Sequence, residues 1–102
     1  MTDNNCLFCK LTKDPSTVIW ENYRFAAFKD IHPKDRVHAL VAPKEHVENL
    51  DQLSKELSPD MVEAVQEVAR FLGVEGGYRI QVNVGRAGGQ EIDHLHVHLM
   101  AK

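Results

Sequence analysis

The run His94-Leu95-His96-Val97-His98-Leu99-Met100 constrains this chain more than any other stretch. Its residues alternate with a period of two, the repeat of a β-strand with one buried face. Val97 is β-branched and Gly88-Gly89 supplies a turn just upstream, and both favour a strand over a helix. On such a strand Leu95, Val97 and Leu99 enter a core while three imidazoles share the opposite face. Imidazole serves near neutral pH as nucleophile, acid, base or metal ligand. The row is therefore a reaction surface or a metal site, unless it is simply solvated.

The other elements follow from the same kind of pattern. Thr17–Trp20 and Tyr23–Phe28 are rich in aromatic and β-branched residues and flank a turn at Glu21-Asn22, which predicts a hairpin. Val37–Pro43 is a third strand, stopped by Pro43. Residues 44–53 read as a short helix with Leu50 and Leu53 facing inward. The main helix opens with Ser58 as N-cap and Pro59 and Asp60 in its first turn. Val62, Val65, Val68, Ala69 and Leu72 form its apolar stripe, and Gly73 ends it. Tyr78–Val84 alternates as a strand, with Ile80, Val82 and Val84 on one face. The order predicts one α+β domain over residues 1–102: a mostly antiparallel five-stranded sheet, one main helix and one short helix.

Length and charge narrow the function. A chain of 102 residues builds a modest core. Its net charge of −3 excludes a broad nucleic-acid or anionic-membrane surface. No apolar run reaches membrane-spanning length, and Met1–Asn5 lacks the features of a signal region, so the expected location is cytoplasmic. Cys6 and Cys9 are spaced Cys-x-x-Cys. In a reducing compartment this is half of a zinc site or a pair of free thiols.

The last two strands, joined by the glycine-containing loop 85–91, are expected to pair and bring Asn83 beside the histidines. Glycines let backbone N–H groups turn toward a ligand, so the loop and Asn83 make an anion pocket fit for phosphate. Histidine attacking phosphorus forms a phosphoramidate that water later opens, splitting one hard displacement into two easier ones. The central histidine then needs its near nitrogen hydrogen-bonded and its far nitrogen free.

At this point the residues resemble the histidine triad (HIT) family, in its small purine-nucleotide phosphoramidase branch. The signature His-φ-His-φ-His-φ-φ, with φ apolar, stands at 94–100. Cys6–Lys10, Phe28–Pro33, His38–His46, Asn83–Gly85 and Gly88–Gln90 follow in family order. The resemblance implies an enzyme that cleaves nucleoside 5′-phosphoramidates or acyl-adenylates through a covalent nucleotidyl-histidine, releasing AMP or GMP. His96 would be the nucleophile, His98 the phosphate and proton-transfer partner, and His94 a buttress. Asn83 and the amides of Gly89, Gln90 and Glu91 would bind the phosphate. Asp30 would take the ribose, with Ile31 and Phe28 at the purine.

The same resemblance implies structural zinc on Cys6, Cys9, His38 and His94, with no catalytic metal and no organic cofactor, and a homodimer. His32 and His46 are left as surface or supporting residues. Two features depart from the pattern. Glu91 stands where some members carry serine, and the glycine-rich tail that follows the triad in many relatives does not follow Lys102. Three competing readings are a dinucleoside polyphosphate hydrolase, a non-catalytic nucleotide-binding module and a catalytic zinc held by the three triad histidines. The last is disfavoured by geometry, since residues i to i+4 of a strand span about 13 Å.

Overall fold

A computed structural model of the chain describes residues 5–102; Met1–Asn4, part of the stretch read above for signal features, lies outside them. Five strands form one antiparallel sheet in the order β1-β2-β3-β5-β4. They are β1 (Val18–Glu21), β2 (Phe25–Lys29), β3 (Val37–Pro43), β4 (Arg79–Gln81) and β5 (Val97–Ala101). Two α-helices accompany them, α1 (Leu7–Leu11) and α2 (Ser58–Phe71). The α+β architecture expected from the sequence is therefore observed.

The period-two alternation divides the molecule. Phe25 and Ala27 of β2, Val41 of β3, and Val97, Leu99 and Ala101 of β5 face one way. They join Ala64, Val65, Val68 and Ala69 of α2 in the main core. On the opposite face Phe28 and Leu40 meet Phe8 of α1 in a second, smaller cluster. The histidine face of β5 belongs to this second side. One rung crosses the sheet there: Phe28 pairs with Leu40, Leu40 with His98, and His98 with Gln81.

Several local expectations are corrected. Residues 44–53 hold only a one-turn 3₁₀ segment at Leu50–Gln52, and the short α-helix lies at residues 7–11. Five residues are too few to form a helix alone. Tertiary packing of Phe8 and Cys9, with Cys6 Sγ accepting from Cys9 N–H at 3.3 Å, holds this one. The N-cap residue of α2 is Leu57, and Ser58 is already helical. Ser54 Oγ instead accepts from Leu57 N–H at 3.1 Å.

Gly73 does end the helix, with φ of 74°. Val74 N–H donates to Ala69 O and Gly73 N–H to Arg70 O, the paired bonds of a Schellman stop. Val62 falls outside the buried stripe and is exposed. The fourth strand is three residues long instead of seven, and Ile80 on it is exposed. Regular pairing of β5 starts at Val97, so His94 and His96 precede the ladder. Their alternation persists nonetheless, because Leu95 still enters the main core.

Candidate active site and metal centre

The cavity-side histidines are fixed by backbone groups, and these set where each proton sits. His96 Nδ1 lies 2.7 Å from the carbonyl of His94. A carbonyl only accepts, so Nδ1 carries the hydrogen and Nε2 keeps its lone pair. Lys34 N–H donates to His38 Nδ1 at 3.1 Å, which places the His38 proton on Nε2. That Nε2–H faces His98 Nδ1 at 3.0 Å and Asp30 Oδ2 at 3.3 Å. His98 therefore accepts at Nδ1 and retains a free Nε2–H. The His96 and His98 rings stand 5.0 Å apart, so a lone pair and a proton donor are side by side.

Burial keeps these rings uncharged. His98 is pushed down to about 4, first by burial and then by the neighbouring His96 and His38. His96 is lowered too, chiefly by burial, and partly restored by its bond to the His94 carbonyl. Both are neutral imidazoles at pH 7, the state required of a nucleophile and a neutral proton carrier.

A cavity of about 630 Å³ opens over His96 and His98. Asp30, Ile31 and Phe28 line it on one side, and Asn83, Gly89 and Glu91 on another. Leu7, Phe8 and Leu11 of α1 form a further wall. Ile31 is 85% exposed, whereas Phe28 is buried against Phe8 with ring centroids 5.2 Å apart. His32 N–H donates to Asp30 Oδ1 at 2.8 Å and so orients that carboxylate.

The loop does not offer all the amides expected of it. Gly89 N–H is bonded to Arg86 O, and Gln90 N–H to Gly85 O. The Gln90 side chain is buried away from the cavity: Nε2 donates to Glu48 O and Ile92 O, and Oε1 accepts from Gly85 N–H. Gln90 is thus the clasp of the loop. Gly89 has φ of 85°, and a Cβ there would stand 3.4 Å from Asn83 Nδ2. Asn83 is itself oriented, donating to Gly88 O at 2.7 Å and accepting from Gln81 Nε2 at 3.2 Å.

Two groups of side chains have donor spacings suited to a metal ion. One is Cys6, Cys9, His46 and His94; the other is Asp30, His38 and His98. This corrects the ligand set expected from the sequence: His38 is not with the cysteines, and His46 is. Hydrogen bonding separates the two groups. His94 Nε2–H donates to Pro43 O at 2.8 Å, leaving the Nδ1 lone pair 3.2 Å from Cys6 Sγ and 3.5 Å from Cys9 Sγ. His46 Nδ1 stands 3.4 Å from Cys9 Sγ.

Tetrahedral zinc at ordinary bond lengths separates sulfur from nitrogen by about 3.5 Å, so the first group fits. The carbonyl behind His94 is also the usual second partner of a ligating histidine. In the second group the nitrogen facing the cluster, His38 Nε2, holds its proton because Lys34 N–H occupies Nδ1. That group is built as a proton network, and its chemistry does not suit a cation.

Sequence reasoning missed His46 and the contribution of α1. The signal for Phe8 was present, because it lies between two cysteines that converge on His94. Its ring meets His96 edge-on, with centroids 5.0 Å apart at 88°.

Among known proteins, the HIT domain family model matches residues 12–102. Protein HitA of Neisseria gonorrhoeae is 36% identical over 102 residues, covering 95% of each chain. Adenosine 5′-monophosphoramidase hnt1 of Schizosaccharomyces pombe is 38% identical over 100 residues, covering 96% of this chain and 74% of that one. A HIT family hydrolase from Clostridium thermocellum superposes with a TM-score of 0.88 at 42% identity, covering 99% of this chain and 93% of that one. The resemblance seen at residues 94–100 thus extends over nearly the whole chain, which belongs to the HIT family.

Proposed function

We propose that this protein hydrolyses nucleoside 5′-phosphoramidates or acyl-adenylates, with the purine nucleotide seated in the cavity over His96 and His98. The observation that carries this reading is the proton arrangement. His96 presents a lone pair at Nε2 because Nδ1 is bonded to the His94 carbonyl, and His98 beside it presents an N–H. The name of the S. pombe relative supports the same chemistry.

In this reading His96 Nε2 attacks the α-phosphorus, and the phosphorus–nitrogen bond breaks. His98 binds a phosphoryl oxygen and relays the solvent proton that the departing amine takes up. Water then opens the nucleotidyl-histidine. Its hydroxyl goes to phosphorus, and its proton balances the one consumed in the first step. Asn83 Nδ2 and the Glu91 backbone N–H hold the phosphate. Asp30 holds the ribose, and Phe28 and Ile31 flank the base. Gly89 serves by its shape and Gln90 by closing the loop. His94 supports the nucleophile through its carbonyl.

Cys6, Cys9, His46 and His94 would hold a structural zinc that ties α1 to the segment after β3. No helix among the described residues is long and apolar enough to cross a membrane. The homodimer is also part of the proposal. Phe71 near the end of α2, more than half exposed, is apolar surface for a second copy to cover.

The test is intact-mass analysis after brief exposure to an AMP phosphoramidate. An added AMP mapped to His96, absent in His96→Ala, is the expected result. Turnover that persists in His96→Ala would overturn the mechanism. Tight AMP binding with no turnover on a phosphoramidate and dinucleotide panel would make the protein a binding module instead.

A further inference from the structure

The Cys/His cluster and the nucleotide cavity share one small structural element. Cys6 caps α1 and Cys9 lies within it, while Leu7, Phe8 and Leu11 of the same five-residue helix wall the cavity. Phe8 is buried, and its ring touches three others edge-on: Phe28 at 5.2 Å, His96 at 5.0 Å and His94 at 6.1 Å between centroids. A single side chain thus contacts a cavity wall, the ring with the free lone pair and a member of the cluster.

A helix of five residues has no stability of its own, so its anchors decide whether it stays in place. Besides the packing of Phe8, Cys6 and Leu11 in the smaller cluster, Lys13 Nζ to Lys44 O at 2.7 Å and the Cys/His cluster tie α1 and its C-terminal turn in place. Without a metal, the sulfur–nitrogen contacts of 3.2–3.5 Å within the cluster are weak. Four coordinate bonds would turn the same atoms into the strongest restraint on α1.

We infer that Phe8 is a positioning residue for His96 and the nucleotide slot, and that the Cys6–Cys9–His46–His94 cluster sets its position, so that a thiophilic divalent cation and a purine nucleotide bind with positive cooperativity. The inference rests on the nucleotide reading proposed above. Metal at the cluster seats α1, and seated α1 completes the slot. By linkage, nucleotide in the slot must tighten the metal by the same factor.

The experiment measures AMP affinity by calorimetry on zinc-loaded and zinc-free full-length chain, and zinc affinity by chelator competition with and without saturating AMP. In the wild type, zinc removal weakens AMP binding at least fivefold, and AMP tightens zinc by a matching factor. In Phe8→Leu the factor falls toward one while zinc still binds, and Phe8→Tyr, which keeps the ring, restores it. If zinc removal unfolds the chain, the loaded protein decides: AMP slows zinc transfer to the chelator in the wild type and not in Phe8→Leu. Equal AMP affinity with and without zinc, equal zinc affinity with and without AMP, or full coupling in Phe8→Leu overturns the inference. AMP binding to neither form instead overturns the nucleotide reading beneath it.

Discussion

His38 Nε2 lies 3.0 Å from His98 Nδ1, and this contact decides which nitrogen of His98 keeps its hydrogen. The two residues are diagonal neighbours across β3 and β5, since Leu40 is the direct partner of His98. The chain of constraint begins at a backbone amide, Lys34 N–H, which only a proline at this position would remove. His38→Ala should leave His98 free to take the wrong tautomer. The expected result is a fall in kcat of about a hundredfold with KM little changed, the mark of a group that acts in the transition state. A rise in KM with kcat little changed would instead assign His38 to substrate binding. His38→Gln, which retains an N–H donor, should recover part of the rate.

The low proton affinity of His98 has a consequence for stability. Burial, followed by the neighbouring His96 and His38, lowers its pKa from 6.5 to about 4. Below pH 6.5 the unfolded chain binds a proton at this site that the folded chain refuses until about pH 4. This group therefore costs nothing above pH 6.5, and its cost grows as the pH falls from 6.5 toward 4. Relative to His98→Gln, the wild type should lose about 1–2 kcal/mol between pH 7.5 and pH 5. Urea midpoints at the two pH values measure it. Parallel pH profiles for the two proteins would contradict the assignment.

Metal content separates His46 from His38. His46→Ala should bind zinc at least tenfold more weakly and melt at a lower temperature, while His38→Ala should retain one zinc per chain by elemental analysis. Chelation of the wild type should lower its melting temperature, and chelation of His46→Ala should change little. Retention of tight zinc by His46→Ala and its loss by His38→Ala would restore the assignment made from the sequence.

Much of the architecture was legible in the sequence because period-two alternation and glycine punctuation are local signals. Leu95, Val97 and Leu99 were placed correctly against the core for that reason. Which histidine meets the cysteines depends on register, which is a long-range property. Val37 pairs with Ala101 and Val41 with Val97, so His94 falls beyond the Pro43 end of β3. His38 pairs with Met100, toward the other end of the ladder, whereas His94 lies against Pro43 O at 2.8 Å, and the chain beyond Pro43 leads to the cysteines. His46 lies on that stretch. The loop amides were misjudged for a related reason: the glycines at 85, 88 and 89 let the chain turn, but the turn spends the N–H groups of Gly89 and Gln90 on its own carbonyls.

Glu91 supplies the last prediction. It follows the buried clasp Gln90, and it lines the cavity beside Asn83 and Gly89 on an exposed stretch of chain. With Asp30 it gives the cavity two carboxylates, against Lys29 and Lys34. A carboxylate near the departing group repels anionic leaving groups and attracts cationic amines. At a solvent-exposed site this is worth about 1 kcal/mol, or roughly fivefold in rate. Glu91→Gln should therefore raise kcat/KM for an AMP phosphoramidate of an acidic amine and lower it for one of a cationic amine. The ratio between the two substrates should shift roughly tenfold or more at low salt and less at high salt. The AMP adduct on His96 should still form in this variant, since the nucleophile is untouched. A substrate ratio that does not move at either salt concentration would place the Glu91 carboxylate away from the departing group.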